Sequence, residues 1–246
     1  MTDAPGLFES TGSRPLADRL RPRTLDEVVG QDHLLGPEGA LRRMVGGGRL
    51  ASIILWGPPG TGKTTIARLI ADNIDLAFEP LSAVFSGVAD LRKVFERAKG
   101  QRLSGRGTLL FIDEIHRLNR AQQDGFLPYV ENGTVILVGA TTENPSFELN
   151  PALLSRAQVF VLNRLGDVAM EALLKRAEQA ESRNLPVDEG ARIALRAMAD
   201  GDGRFLLNLA EELLQLKPGA ILDPAGLAET VQRRAPVYDK GQESHY

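Results

Sequence analysis

Ser52-Ile-Ile-Leu-Trp-Gly-Pro-Pro-Gly-Thr-Gly-Lys-Thr-Thr65 is the stretch that decides the fold. Its first five residues form an apolar run of strand type, Gly57–Thr64 fits G-x-x-x-x-G-K-[ST], and the segment Lys63–Ile74 is helix-forming. Strand, glycine-rich loop and helix in that order are the context in which this motif cradles phosphate. The glycines let the chain curl so that successive N–H groups from about Gly60 to Thr65 point at phosphate oxygens, at a helix N-terminus whose dipole favours negative charge. Gly57, Pro58, Pro59, Gly60, Thr61, Gly62, Lys63, Thr64 and Thr65 are therefore candidate nucleotide contacts. Lys63 is placed to reach the β and γ phosphates. The Thr64 hydroxyl is placed to hold Mg2+, an ion that keeps waters and substrate oxygens in its shell and needs few protein ligands.

On either side of this loop, strand-like runs alternate with helix-length segments. Ser52–Trp56, Ala77–Leu81, Thr108–Asp113, Thr134–Gly139 and Gln158–Leu162 read as strands, with helices near Lys63–Ile74, Val88–Arg102 and Arg120–Val130. The alternation predicts an α/β fold: a parallel five-stranded sheet flanked by helices. Leu109–Ile112 and Val135–Val138 show no polar alternation, as expected of central strands buried on both faces. After Leu165 the pattern changes. Asp167–Arg183, Asp188–Ala199, Arg204–Leu216 and Pro224–Arg233 carry apolar residues at helical spacing, which predicts a small all-helical lid. Asp167, Asp188 and Asp202 stand at or near three of these helix starts, where a carboxylate accepts bonds from free N–H groups. The expected division is a tail over 1–14, a nucleotide-binding α/β domain over 15–164 and the lid over 165–234.

The run Leu109-Leu-Phe-Ile-Asp-Glu114 ends a buried strand with two acids. In phosphate-loop proteins the first, here Asp113, binds Mg2+ through its shell, and the second, Glu114, polarises the attacking water. Glu114 favours hydrolysis over transfer of phosphate to a small molecule. His116, two residues on, invites comparison with helicases in which a histidine couples hydrolysis to strand movement; the plainer reading is a polar residue in the turn after the strand.

Composition narrows the remaining classes. With 246 residues, 43% hydrophobic and 25% charged, the chain has the make-up of a globular protein with room for a large core. No stretch approaches the roughly 18 to 20 apolar residues of a membrane span, and the first ten residues lack a secretory pattern, so a cytoplasmic protein with no membrane contact is expected. Zero cysteines exclude disulfides and thiolate zinc sites. A net charge of −3 does not advertise nucleic-acid binding by the molecule as a whole. Arg92, Lys93, Arg97, Lys99, Arg102 and Arg106 do crowd one predicted helix and the loop after it, opposed by Asp90 and Glu96; this is either a phosphate-attracting patch or a solvated helix face.

Six stretches together resemble one family: Leu16-Ala-Asp-Arg-Leu-Arg-Pro-Arg-Thr-Leu-Asp-Glu-Val-Val-Gly-Gln31, the loop itself, Leu81-Ser-Ala-Val84 with Ser86-Gly-Val88, FIDEIHRLN (111–119), GATTENPSFELNPALLSRA (139–157) and GDGRFLLNLAE (201–211). They look like the bacterial RarA/MgsA proteins, AAA+ ATPases similar to clamp loaders and RuvB, with a eukaryotic relative that interacts with the Werner helicase. The resemblance implies ATP and Mg2+ as ligands and ATP hydrolysis as activity. It implies that Arg21, Pro22, Val28 and Val29 lie over the adenine, and that Thr142, or nearly as well Asn144, serves as sensor 1. Arg156 matches an arginine finger supplied in trans, and Arg204 matches sensor 2, which reaches the γ-phosphate from the lid. Ser82 sits where the family has a small polar residue able to hold the catalytic glutamate inactive.

Departures from the pattern sharpen the comparison. Ala157 follows Arg156 where clamp-loader motors have cysteine, and the chain has no cysteine for their zinc module, so RarA fits better than a clamp loader. Phe85 replaces a small polar residue commonly found there. The resemblance also implies a homo-oligomer built by a longer C-terminal region of which 235–246 would be the start, single-strand/double-strand DNA junctions at stalled forks as substrates, and single-stranded-DNA-binding protein as partner. A nucleotide-switched scaffold of clamp-loader type and a RuvB-like branch-migration motor are the alternatives.

Overall fold

A computed structural model describes residues 14–48, 50–84, 88–217, 219 and 221–234. Phe85 and nearly all of the expected tail, together with 235–246, lie outside them. Parallel strands β1 (Ser52–Trp56), β2 (Ala77–Ser82), β3 (Thr108–Asp113), β4 (Ile136–Thr141) and β5 (Ala157–Val161) form one five-stranded sheet in the order β2-β3-β4-β1-β5. Helices α1 (Leu16–Arg19), α2 (Asp32–Leu35) and α3 (Ala40–Gly46) precede it. The crossovers carry α4 (Lys63–Asn73), α5 (Val88–Leu103), α6 (Arg120–Glu131), α7 (Pro145–Glu148) and α8 (Pro151–Leu154).

Side-chain alternation along the strands feeds two cores, one on each face of the sheet. Ile53, Leu55, Leu109, Phe111, Val138 and Ala140 pack with α4 residues such as Ile66 and Ile70 and with Leu41 of α3. Ile54, Leu110, Ile112 and Leu137 point the other way, onto Leu91, Val94 and Phe95 of α5, Phe126 of α6 and Leu153 of α8. The runs at 109–112 and 135–138 fall on β3 and β4, both interior to the sheet.

Strand β4 begins two residues later than its apolar run suggests, at Ile136. Thr134 is spent on the turn, its N–H and hydroxyl both donating to Asn132 Oδ1 at 2.9 and 2.6 Å, and the Val135 N–H donates to Tyr129 O at 3.1 Å. At its other end β4 extends through Thr141, because Leu55 and Trp56 of β1 pair with Ala140 and Thr141.

Beyond the sheet, α9 (Asp167–Glu181), α10 (Glu189–Ala199), α11 (Gly203–Leu214) and α12 (Pro224–Arg234) form the helical lid. Its core includes Leu173, Leu174, Leu195, Leu206, Leu213 and Leu227, joined by Leu16 from α1. Asp188 and Asp202 cap their helices, accepting from the Ala191 N–H at 2.7 Å and the Phe205 N–H at 2.9 Å. Gly166 is the N-cap of α9, with Asp167 in its first turn. No described helix is long and apolar enough to cross a membrane.

Candidate nucleotide-binding cleft

Because the strands are parallel, the carboxyl ends of β1, β3 and β4 open at one edge of the sheet, the place where open α/β sheets bind ligands. From β1 comes the glycine-rich loop. It needs two left-handed residues, Gly60 with φ 68° and Gly62 with φ 96°, and the second of these is the N-cap from which α4 starts. From β3 come Asp113 and Glu114, and Thr142 follows directly after β4. The lid closes the opposite side: the Gly203 N–H donates to Gly60 O at 3.3 Å, and Asp202 lies so close that a Cβ on Gly60 would stand 1.8 Å from Asp202 Oδ1.

These elements enclose a cleft of about 370 Å3 lined by Arg21, Pro22, Val28, Val29, Pro59 to Thr65, Asp113, Glu114, Thr142, Gly203 and Arg204. That volume is in the range of small-ligand sites. Val28 and Val29 with Leu20, Leu165 and Leu207 give one part of it an apolar wall. Arg21 is held by Asp18 through an ion pair of 2.5 Å.

Lys63 is buried, and its ammonium donates to the Gly57 and Pro58 carbonyls at 2.7 Å each. Gly57 and Pro58 thus meet Lys63 and are not among the residues lining the cleft. Burial pulls the Lys63 ammonium below the ordinary lysine range, while Glu114, Asp113 and Asp202 act in the opposite direction. A buried cation facing three carboxylates is an arrangement that fits a Mg2+-bound triphosphate. Thr64 and Asp113 both line the cleft, as a shell of few protein ligands requires.

Glu114 has a left-handed backbone, φ 52° and ψ 49°, and opens the 3-10 turn Ile115–Arg117. Its Oε2 is buried without a hydrogen bond, 3.2 Å from His116 Nδ1. The same Nδ1 lies 3.0 Å from Thr141 Oγ1. Ser82 stands opposite Asp113 in the β2–β3 register.

Thr142 and Asn144 part company in the structure. Thr142 lines the cleft, whereas the Asn144 side chain caps α7 by accepting from the Ser146 N–H at 3.0 Å. Arg156 also lies outside the cleft lining: it pairs with Glu131 at 2.6 Å and donates to Ala152 O at 2.7 Å. Of the basic cluster on α5 and the loop after it, Lys93, Arg97, Lys99 and Arg106 pair with Asp90, Glu79, Glu96 and Asp75, and Arg102 donates to Asn132 O. That surface is of mixed sign. Asp202 lines the cleft as well as capping α11, a second place that its position two residues before Arg204 in the sequence signals.

Residues 53–165 match the family described as ATPase family associated with various cellular activities (AAA), and residues 181–246 match the AAA C-terminal domain. Replication-associated recombination protein A of Haemophilus influenzae is 44% identical over 97% of this chain and 56% of its own length. The Escherichia coli K12 protein of that name is 42% identical over 97% and 56%, and the ATPase WRNIP1 of Dictyostelium discoideum 38% identical over 97% and 30%. The chain thus spans little more than half the length of its curated bacterial relatives. Among solved structures, the Thermotoga maritima RuvB Holliday junction branch migration motor superposes with a TM-score of 0.71 at 28% identity, over 87% of this chain and 72% of that one. Two-fifths identity to bacterial RarA proteins along nearly the whole chain, with the AAA match running from β1 to the start of the lid, shows that this chain belongs to the RarA family of AAA ATPases.

Proposed function

We propose that the chain is the Mg2+-dependent ATP-hydrolysing part of an oligomeric protein that acts on DNA at stalled replication forks or strand ends. One observation carries the hydrolytic reading: Lys63, the adjacent Asp113 and Glu114, and Arg204 come from three separate stretches of sequence and line one cleft. The adenine would rest against Val28 and Val29, beside Arg21 and Pro22. Lys63 would exchange the loop carbonyls for phosphate oxygens, with the N–H groups of Gly60 to Thr65 alongside. Mg2+, held by Thr64 and Asp113, would supply charge neutralisation between the β and γ phosphates. Glu114 would orient and polarise the water that attacks the γ-phosphorus, Thr142 would contact the γ-phosphate, and Arg204 would reach it from the lid. Arg156, outside its own cleft, is available to a neighbouring copy.

The DNA part rests on the names of the relatives, replication-associated recombination proteins. Phosphate release measured with and without a forked duplex is the test. The expected outcome is Mg2+-dependent turnover that rises with the fork; turnover unchanged by any DNA would remove the DNA reading. The likeness to RuvB favours a second reading, a branch-migration motor, which predicts stimulation by a four-way junction above a fork. A clamp-loader-like scaffold would respond to a sliding clamp instead.

A further inference from the structure

We propose that His116 is a positioning residue for Glu114, holding the carboxylate by its Nδ1–H so that Oε1 is presented to the attacking water. The inference deepens the hydrolytic reading above and rests on it. Three observations lead there. Glu114 Oε2 is buried and lacks a hydrogen bond, a condition that costs free energy until a donor is found. The His116 Nδ1 is 3.2 Å from that oxygen, within reach after a small rotation of either side chain. Thr141, the other neighbour of Nδ1, is already satisfied: its hydroxyl donates to Glu143 O at 3.2 Å and accepts from the Glu143 N–H at 3.0 Å. With its own proton committed to Glu143, Thr141 Oγ1 meets Nδ1 as an acceptor, so the tautomer that fits both neighbours carries its proton on Nδ1. Nδ1 stands 3.0 Å from Thr141 Oγ1 and 3.2 Å from Glu114 Oε2, so the hydrogen bond that it donates can swing from one acceptor to the other.

The arrangement is rigid where it needs to be. Thr141 is fully buried at the end of β4, paired with Trp56 of β1, so the anchor of the imidazole is a central strand of the sheet. Ile115 beside it is fully buried in the core between β4 and α5, which fixes the turn that carries both Glu114 and His116. A carboxylate with one oxygen held from behind has lost the freedom to rotate, and its remaining oxygen keeps one direction for the water.

Two measurements test this. The chain contains three histidines, His33, His116 and His245, so selectively 15N-labelled imidazoles resolve into few signals, assigned with His116→Asn. His116 is expected in the Nδ1–H form, with an Nδ1 signal that moves on Glu114→Ala without nucleotide present. A neutral ring protonated on Nε2 alone, or a signal indifferent to Glu114, would overturn the proposal. The second measurement is steady-state ATP turnover of the whole chain. His116→Ala should lower kcat roughly 10- to 100-fold with KM nearly unchanged. His116→Asn, whose amide nitrogen can stand where Nδ1 stood, should restore much of the loss, and His116→Gln should not. A His116→Ala enzyme as fast as wild type, or faster, in the same assay in which Glu114→Gln is inactive, removes His116 from the mechanism and leaves the hydrolytic reading intact. If Glu114→Gln itself turns over normally, it is that reading which fails.

Discussion

At Glu114 the backbone is left-handed, φ 52°, in a residue type that gains nothing from that conformation. An L side chain there costs about 1–2 kcal/mol relative to the right-handed region, and the strain is tolerated because it turns the carboxylate from the end of β3 into the cleft. Two substitutions separate the strain from the chemistry. Glu114→Gln keeps the shape and removes the basic oxygen pair, so it should bind ATP within a few-fold of wild type by calorimetry while phosphate release falls by about 10²- to 10⁴-fold. Glu114→Gly should be equally inactive, yet unfold at a higher denaturant concentration, by about 1 kcal/mol, because glycine carries no penalty at positive φ. A glycine variant no more stable than wild type would mean that the left-handed turn is not strained.

Among the elements, the lid is fastened by ions as well as leucines. Arg192 of α10 reaches Glu171 and Glu178 on α9 at 2.9 and 2.8 Å, and Arg196 reaches Glu171 at 2.7 Å. The Arg192 hydrogen bond holds the Glu171 carboxyl below the ordinary glutamate range. At Glu178 burial pushes the other way but is outweighed by bonds from Arg192 and the Leu185 N–H. Both carboxylates therefore bind protons less readily folded than unfolded, so their contribution is present above the unfolded value of 4.5 and fades as pH falls through the lower folded values. Arg192→Ala strands two partly buried charges and should cost about 2 kcal/mol at pH 7, below the loss for fully buried pairs because the glutamates keep some solvent. The deficit should shrink in urea titrations carried below pH 4.5; a deficit constant with pH would assign the loss to packing. None of this network is legible in the sequence, since Arg192 and Glu171 stand 21 positions apart and periodicity reports only which face of a helix is apolar. The same limit hid the meeting of His116 with Thr141, and of Leu16 with the lid core. What could be read was local: the loop between β1 and α4, the acids ending β3, and the continuous apolar runs of interior strands. In each of these a short stretch of chain carries its own physical reason.

Within the molecule as a whole, Arg156 stands outside the cleft that Lys63, Glu114 and Arg204 line. Arg156 is engaged by Glu131 at the surface, with its side chain 39% exposed, and an exposed ion pair of this kind is worth about 0–1 kcal/mol, so releasing it to reach another copy costs little. If its task is to neutralise charge on a neighbour's transferring phosphoryl group, its removal lowers turnover by about 10³- to 10⁵-fold while leaving ATP binding in place. Complementation then has a definite form. A Lys63→Ala copy holds its phosphates poorly but still offers Arg156, and an Arg156→Ala copy binds ATP but offers nothing. Each variant alone should be nearly inactive, while mixed assemblies contain interfaces at which an intact Lys63 site meets an intact Arg156. Phosphate release from the mixture should exceed the sum of the two variants and rise more steeply than linearly with total protein, as any activity completed between copies must. A mixture shown by light scattering and mass labelling to contain both variants in one oligomer, yet no more active than its parts, would confine Arg156 to its pairing with Glu131.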